Sequence, residues 1–525
     1  MKLLGKVGIV SAMTGISRVF GLVREIFMAH YFGTTNLQSA FVIAFRIPNL
    51  FRRLFGEGAL AAAFIPIFTE VERNEGRERA QLFAARILGM LVCILGLLVG
   101  LGIAASFGVE VICGEGSRWT EAMPLMRIML PYALLICIVG ILAGILQVQG
   151  RFAVSTLTPA VLNIVWLVVL LGIVPFLPAE GMWRIGAVCW GILIAGAVQI
   201  VFLLPALKRL GYGLRFSFRG WSTSPYIKQV ILQMGPASLG IALAQINICM
   251  DGWLAFYGAS WAPAALEYAD RIIYLPLGLF GTAFATVLLP TYSKQIAEGK
   301  PQEMVETLTR SLQNLLLIIT PMAAGLWTLA VPVVALIYQR GAFGPDSVIW
   351  TARAVAAYAP GILIFSLSKV INPCFYAQKD IQTPVKVAGW CILGNFTLNV
   401  LSVLLLPEGW RHAGIATSTV LNSLANTVIL LIILRRRGLS PKLRPLIKTL
   451  CLTLLATLPM VAATLGTHWL FRQYWGLPLF ISVPVAMAAA VIYFPIIALL
   501  APRQFRDAIT EFPLPRKLRR FLPHK

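Results

Sequence analysis

Charged side chains interrupt two apolar stretches near the start of the chain, where a membrane helix ordinarily excludes them. The stretches read SRVFGLVREIF (residues 17–27) and FRIPNLFRRLFGEGALAAAF (residues 45–64). Insertion scales put the cost of one arginine at the centre of a membrane helix at about 2.5–3.5 kcal/mol. Each of the following side chains therefore needs water, a counterion or a ligand: Arg18, Arg24, Glu25, Arg46, Arg52, Arg53 and Glu57.

The excess of arginine over glutamate predicts a binding site for an anion. Five arginines face two glutamates in these stretches, so positive charge remains after pairing. A planar guanidinium forms parallel hydrogen bonds to phosphate, which makes phosphate the natural ligand. The alternative for any single residue is an internal salt bridge, such as the i,i+4 pair Arg53–Glu57, or a side chain that extends to the membrane interface.

Composition identifies an integral membrane protein. Of 525 residues, 58% are hydrophobic and 12% charged, and the mean hydropathy is +0.81. The net charge of +23 comes from Lys and Arg in short connections between apolar segments. This is the positive-inside pattern, which predicts that both termini are cytoplasmic, and it disfavours nucleic acid as a partner.

The apolar segments predict an all-α polytopic protein with about fourteen transmembrane helices of about 20 residues each. A repeat at an offset of about 225 aligns the segment from Tyr31 with the segment from Phe256. Because the offset covers an even number of helices, we expect two parallel six-helix lobes of a transporter. The aligned pairs include Gly33 with Gly258, Arg46 with Arg271, Pro66 with Pro290, Tyr132 with Tyr358, and Gln149 with Gln378.

The predicted domains follow from this repeat. Residues 1–220 form the first lobe, residues 221–438 the second, residues 439–502 two additional helices, and residues 503–525 a basic cytoplasmic tail. The second lobe contributes Asp270 and Arg271 at the position of Arg46, and also Lys369. A cavity between the lobes lined by Arg18, Arg24, Arg52 or Arg53, and Arg271 would be cationic. Prolines and glycines beside these residues, in GEGA (residues 56–59) and around Pro276, can loosen the helices that carry them.

Enzyme signatures are absent from the sequence. There are four histidines, no nucleotide-binding glycine-rich loop and no clustered cysteine or histidine ligands, which disfavours an ATP-driven pump and predicts neither a metal nor a cofactor.

Several motifs together resemble the MurJ (MviN) family of lipid II flippases, within the multidrug/oligosaccharidyl-lipid/polysaccharide exporter superfamily. They are SRVFGLVRE, AFRIPNLFRRLFGEGALAAAFIPIF, YADRIIYLPLGLFGTAFATVLLPTYSK and QKDIQTPVK. The resemblance implies a bacterial inner-membrane transporter of peptidoglycan synthesis that works by alternating access. Its substrate would be lipid II, whose headgroup is a pyrophosphate bearing a disaccharide and a peptide.

The resemblance also implies roles for single residues. The family's essential arginines fall on Arg18, Arg24, Arg52 and Arg271, its helix-2 glutamate on Glu57 and its helix-8 aspartate on Asp270. Arg53, Glu25 and Arg46 are expected to support or gate the site, and residues 439–502 to form a groove for the polyprenyl tail. Family members often have an acid where this chain has Ser39, which leaves the role of that acid open here. Some members bind sodium, for which Asn247, Asp251 and Asn372 are the polar candidates.

Three other functions stay open at this stage. An O-antigen-type flippase would also need an arginine-lined cavity, a cation or drug antiporter would need more carboxylates than arginines, and a membrane enzyme on polyprenyl pyrophosphate would need an acidic metal cluster or a base. No bound cofactor is expected, although membrane potential, Na⁺ or H⁺ are possible energy sources. Membrane lipids are expected partners, and cell-wall synthases or divisome proteins are possible ones.

Overall fold

The computed structural model describes residues 3–56, 59–114, 116–221, 224–278, 282–473 and 479–502, and all regular elements within these ranges are helical. Nine of the described helices are long and apolar enough to cross a membrane, and eleven spans result if two bent helix pairs each count as one. The prediction of an all-α, multi-pass membrane protein is confirmed. The exact number of about fourteen spans stays a prediction.

The first compact unit contains the described residues up to Ala264 together with Arg340–Phe343. In this unit α1 packs against α7, α6 and α7 against α8, α2 against α5, and α3 against α4 and α9. The segment Arg340–Phe343 belongs here because the Ala342 amide donates to the His30 carbonyl oxygen at 2.8 Å. The helices are α1 (Leu3–Phe32), α2 (Asn36–Phe51), α3 (Ala59–Glu75), α4 (Arg77–Cys113), α5 (Arg118–Met129), α6 (Tyr132–Val148), α7 (Phe152–Gly172), α8 (Trp183–Arg209) and α9 (Pro225–Gly258).

An aromatic cluster joins α2 to α7 in the core of this unit. Phe41 and Phe45 stack one turn apart on α2, and Trp166 of α7 packs edge-on against both rings at 5.6 and 5.7 Å between centroids. Edge-to-face contacts of this kind add about 0.5–1.5 kcal/mol each to the burial of the rings. The cluster therefore fixes the face of α7 that lies toward α1 and α2.

The second compact unit contains residues 265–339 and the described residues from Gly344 onward. Here α14 packs against α12 and α16, α15 against α16, and α17 against α12. The Tyr493 hydroxyl donates to the Leu317 carbonyl oxygen at 2.8 Å and ties the last described helix to α12. The helices are α10 (Ala262–Pro276, whose first three residues belong to the first unit), α11 (Thr282–Ala297), α12 (Pro301–Thr328), α13 (Ala330–Tyr338), α14 (Pro345–Ala377), α15 (Gln382–Leu405), α16 (Glu408–Arg436), α17 (Leu443–Gln473), α18 (Leu479–Ala489) and α19 (Tyr493–Leu500).

The lobe boundaries at residues 220 and 438 stay predictions. The units above are defined by compactness, which assigns α9 to the first unit because it packs against α2 and α3.

Four helices, two of which carry Arg46 and Arg271, are unusually short, whereas α1 with Arg18 and Arg24 has 30 residues. The helices α2, α3, α10 and α11 are 16, 17, 15 and 16 residues long, below the roughly 20 residues of an ordinary span. After α2 ends at Phe51, a π-helical turn covers Arg52–Gly56, and α10 ends at Pro276. These ends lie where the sequence predicts loosening by proline and glycine. Glu57 lies outside the described residues.

Two matched residues of the repeat occupy equivalent positions. Gln149 and Gln378 are the C-caps of α6 and α14. Each is followed by a residue with left-handed backbone, Gly150 at φ 74° and Lys379 at φ 61°. Lys379 is the one non-glycine residue with a positive φ in the described ranges. A left-handed residue that returns the chain after a helix is the ordinary C-terminal cap, so the repeat extends to the helix ends.

An ion pair closes the turn after Lys379. The Arg437 Nη2 lies 2.6 Å from Asp380 Oδ2, and Asp380 also accepts from the Thr383 amide at 2.9 Å and from its hydroxyl at 2.6 Å. Partial burial alone would raise the pKa of Asp380, but the hydrogen bonds from Thr383 and Arg437 outweigh it and lower this pKa to about 2. The connection between α14 and α15 is thus fastened to the end of α16.

Replacing Asp380 with Asn is expected to lower the thermal unfolding midpoint of the detergent-purified protein at pH 7. The folded pKa lies below the unfolded one, so the stabilisation is complete above about pH 4–5 and is lost as the pH falls through about 2. The loss should correspond to about 1–2 kcal/mol. The difference between wild type and Asp380→Asn should shrink between pH 4 and pH 2, and a difference independent of pH would contradict this role of the carboxylate.

Candidate functional site

Arg24 lies in a buried cluster between α1 and α7. Its side chain forms an ion pair with the adjacent Glu25, donates to Asn163 Oδ1 at 2.9 Å, and lies 4.2 Å from the ring centroid of Trp166. Arg24 and Glu25 are only 8% and 6% exposed. An arginine with a carboxylate, an amide oxygen and an aromatic face as partners can stay charged at low dielectric. Its Nε is nevertheless buried with no hydrogen-bond partner.

Asn163 connects this cluster to the turn of α1 that precedes Arg18. Its Nδ2 donates to the Ser17 carbonyl oxygen at 3.1 Å, while its Oδ1 accepts from Arg24. One amide therefore spans two turns of α1 and fixes the helix against α7. The side chain of Arg18, next to Ser17, is exposed. The two predicted binding arginines of α1 thus have different surroundings.

Arg46 connects α2 to α9. Its Nη1 donates to the Ile248 carbonyl oxygen, and a Cβ atom on Gly252 would overlap its guanidinium group. Gly252 is therefore required for the close approach of this arginine to the helix. The Nε of Arg46 is buried with no hydrogen-bond partner. Arg46 acts as a link between helices within the first unit.

Arg52 and Arg53 begin the π-helical turn and differ in exposure. Arg52 Nε donates to Asn49 Oδ1 at 2.9 Å and the residue is half-buried, whereas Arg53 is exposed. Single π-helical turns inside α-helical segments occur frequently at functional sites. The i,i+4 pair of Arg53 with Glu57 stays a prediction.

Two of the three sodium candidates lie together. Asn247 Nδ2 donates to Asp251 Oδ2 at 3.3 Å on α9, and the Arg46 guanidinium lies against the neighbouring Gly252. A nearby guanidinium disfavours a second cation at this point. The third candidate, Asn372, lies on α14 in the second unit. In the described ranges no group of three or more His, Cys, Asp or Glu side chains is arranged to hold a metal ion.

In the second unit, Arg271 is paired along its own helix. Its Nη2 lies 2.6 Å from Glu267 Oε1, and the arginine side chain is 43% exposed. Exposed i,i+4 pairs contribute only a few tenths of a kcal/mol, about 0.3–0.5, so this carboxylate does not prevent Arg271 from binding a stronger anion. Asp270 and Lys369 are half-buried on α10 and α14.

Ser39 has a structural contact at the position where the family often has an acid. It is fully buried, and its Oγ accepts from the Ala264 amide at 3.3 Å, in the first turn of α10. The first amides of a helix have no partner within the helix, so this hydroxyl satisfies one of them. A carboxylate at position 39 would accept the same hydrogen bond. The serine thus retains the acceptor and removes the charge.

The sequence did not predict which residues contact the arginines. Glu267 was detectable, because it precedes Arg271 by four residues on a helix. Asn163 had a weaker signal, as one amide inside an apolar helix. Trp166 and Gly252 gave no signal that separates them from ordinary packing residues.

The charged residues fall into two groups by exposure. Arg24 and Arg46 are held by protein partners, whereas Arg18, Arg53 and Arg271 present exposed guanidinium groups. Exposed guanidinium groups on transmembrane-type helices can bind an anion such as phosphate without the loss of a buried ion pair.

Comparison with known proteins gives consistent similarities. The family described as "Lipid II flippase MurJ" matches residues 28–485. A curated protein of Rhizobium meliloti (strain 1021), named "Probable lipid II flippase MurJ", is 31% identical over 497 residues, which are 93% of this chain and 90% of that protein.

Solved structures share the fold. The structure titled "Lipid II flippase MurJ, inward closed conformation" has a TM-score of 0.76 at 23% identity and covers 94% of this chain and 99% of its own. An inward-facing multidrug resistance MATE family transporter of the MOP superfamily has a TM-score of 0.67 at 13% identity, over 82% of this chain and 97% of its own. At these identities the likeness concerns the fold alone.

Replacing Gly252 with Ala is expected to displace Arg46 from the Ile248 carbonyl oxygen. The loss of a hydrogen bond from a charged group should cost about 1.5–3 kcal/mol and lower the unfolding midpoint of the purified protein. The same substitution in an Arg46→Ala background should cost much less, because the overlapping guanidinium is gone. Gly96→Ala is the matched control, since nothing lies within 4 Å of a Cβ at that position. An equal cost of Gly252→Ala in both backgrounds would contradict the contact.

Proposed function

The chain belongs to the MurJ family, and from that premise we propose that it moves lipid II from the cytoplasmic to the outer leaflet of the bacterial inner membrane. The family is one of transporters rather than enzymes. The observation that supports this function best is the division of the arginines into held and exposed groups. A binding site for a pyrophosphate needs exposed guanidinium groups that are positioned by fixed neighbours.

In this proposal the four arginines do not contribute equally. The family resemblance implies that Arg18 and Arg271 contact the pyrophosphate, and both residues are exposed and so accessible to a ligand. Arg52 adds a third contact from the π-helical turn, where it is half-buried. Arg24 keeps a fixed charge on α1, and Asn163 positions it. The charge of Arg24 adds to the attraction, while its buried ion pair stabilises the empty carrier.

Other charged residues of the first unit position these contacts. Arg46 fixes α2 on α9, and Glu25 holds the charge of Arg24 in place. Arg53 is exposed one residue beyond Arg52 and extends the positive surface. Glu57 and, in the second unit, Asp270 are proposed to gate the site.

Transport would proceed by alternating access of two lobes, with both termini in the cytoplasm. The polyprenyl tail stays in the membrane along the additional helices after residue 439, which are α17 to α19. Membrane potential, negative inside, favours the outward step: two negative charges moved outward gain roughly 4–5 kcal/mol per 100 mV. No sodium ion is required at Asn247 and Asp251 in this scheme.

The shared fold alone does not decide the substrate. The MATE neighbours have the same fold and are named for multidrug resistance, so the substrate class rests on the family and on the charge of the site. A cation antiporter would need carboxylates in excess of arginines on the helices in question, the reverse of the composition of residues 17–64.

Rescue in cells depleted of their own lipid II flippase is the test of this function. Wild type should restore externally accessible lipid II, and Arg18→Ala should reduce it by tenfold or more at equal expression, because one pyrophosphate contact is lost. Arg436→Ala, an exposed arginine at the end of α16, is the matched control and should rescue fully. Failure of well-expressed wild type would point to a different polyprenyl pyrophosphate, such as an O-antigen precursor. Full rescue by Arg18→Ala would remove Arg18 from the site.

Exchanging the charges of Glu267 and Arg271 distinguishes a role of Arg271 in ligand binding from a role of the ion pair itself. The double variant Glu267→Arg/Arg271→Glu keeps an i,i+4 pair of opposite charge on α10. If Arg271 binds pyrophosphate, the double variant should fail to restore external lipid II, like Arg271→Ala. Rescue by the double variant together with failure of Arg271→Ala would show that the pair itself, rather than the position of the positive charge, is what matters.

A further inference from the structure

A segment between α8 and α9 lies flat on the N-terminal part of α4. This strap (residues 210–221) is held by the Ser217 amide, which donates to the Ala85 carbonyl oxygen at 2.9 Å, and by Gln81 Nε2, which reaches the Gly213 carbonyl oxygen at 3.5 Å. A Cβ atom on Gly89 would overlap the Ser217 carbonyl oxygen, so the glycine allows the backbone of the strap to touch the helix. One side of the strap therefore faces α4. The other side, which faces away from α4, is its outer side.

The start of the strap is fixed by Tyr212. This residue is 2% exposed, its hydroxyl donates to Glu72, and Gln149 also donates to that carboxylate, at 2.7 Å to Oε1. Burial and the neighbouring Glu72 carboxylate raise the pKa of the Tyr212 hydroxyl, so it stays protonated as a donor. The strap is therefore anchored to α3 and α6 as well as to α4.

The outer side of the strap combines exposed aromatic rings with exposed arginines. Phe216 and Phe218 are 41% and 56% exposed, and Arg215 and Arg219 beside them are exposed. Basic residues also precede the strap, with Lys208 and Arg209 at the end of α8. The stretch 208–221 holds no acidic residue, and the stretch 77–86 of α4 beneath it holds three arginines and one glutamate.

The length of α4 places the strap at the level of lipid headgroups. This helix has 37 residues and is roughly 55 Å long, whereas the hydrocarbon core is about 30 Å thick. Its basic residues all lie in the first ten positions, so this end extends into the polar layer. Aromatic rings at this level sit in the bilayer interface, and basic residues are attracted to the anionic cytoplasmic leaflet.

We propose that the outer side of the strap is a binding surface for anionic phospholipid, with Phe216 and Phe218 inserted at the headgroup boundary and Arg215 and Arg219 on lipid phosphates. A surface of this kind fastens the connection between α8 and α9 to the leaflet from which a lipid substrate would be taken. The surface does not depend on which substrate the chain transports. Its failure and that of the flippase proposal are therefore distinguishable.

Binding of phosphatidylglycerol to the purified full-length protein tests the charges. Native mass spectrometry compares retention of phosphatidylglycerol with that of phosphatidylcholine for wild type, Arg215→Gln/Arg219→Gln and the matched control Arg435→Gln/Arg436→Gln. A basic residue at an anionic surface contributes about fivefold in affinity, so the strap variant, which removes two, should lose phosphatidylglycerol by about 25-fold. The control should change less than twofold. An equal loss in both variants would overturn the proposal, because net charge would then account for binding.

The depth of residue 218 in the membrane tests whether the aromatic rings insert into it. A spin label at Phe218→Cys, with the three exposed cysteines replaced by serine, is placed in nanodiscs of phosphatidylcholine with and without 30% phosphatidylglycerol. The label should be more accessible to oxygen than to a water-soluble nickel reagent, and more so with phosphatidylglycerol. Accessibility to the nickel reagent in both discs would overturn the proposal. If the label is shielded from both reagents in native membrane vesicles but not in nanodiscs, a protein partner covers it. This result would also overturn the proposal.

Discussion

The cost of charge inside a membrane is the constraint on which this structure depends. The charge of Arg24 is compensated by three partners: a carboxylate on its own helix, an amide oxygen on α7 and the face of Trp166. Trp166 in turn packs against Phe41 and Phe45 of α2. The charge is thus built into the hydrophobic core, and removal of any one partner would leave an incompletely compensated ion.

The same constraint explains why the arginines have different roles. The buried Arg24 and the half-buried Arg46 form contacts that fix helices to one another, as Arg46 does between α2 and α9. Of the exposed arginines, Arg53 lies in the π-helical turn after α2 and Arg271 lies on α10, which is shorter than a full span and ends at a proline, whereas Arg18 lies on the 30-residue α1. A short helix beside an irregular turn leaves polar groups at membrane depth only where protein or a water-filled cavity surrounds them. Such a place suits the headgroup of a lipid.

Much of the fold follows from patterns that the sequence carries locally. Apolar length predicts helices, and the repeat predicted equivalent roles for Gln149 and Gln378, which both cap helices. The partners of the arginines were harder to predict, because they depend on which face of α7 packs against α1 and on the chosen side-chain rotamers. Asn163 is adjacent to Arg24 only in the folded unit, at a separation of 139 residues. Ser39 shows the same limit. The family resemblance indicates that a serine replaces an acid here, but only the fold shows that its hydroxyl accepts a hydrogen bond from the Ala264 amide.

The central claim is that exposed arginines recognise a pyrophosphate rather than a lipid tail. Equilibrium binding to the full-length protein in nanodiscs tests it, with lipid II compared with a polyprenyl lipid of the same tail that lacks the pyrophosphate. We predict that wild type prefers lipid II by tenfold or more, and that Arg18→Gln loses most of this preference while it still binds the tail. Equal affinity of wild type for the two lipids would contradict the account.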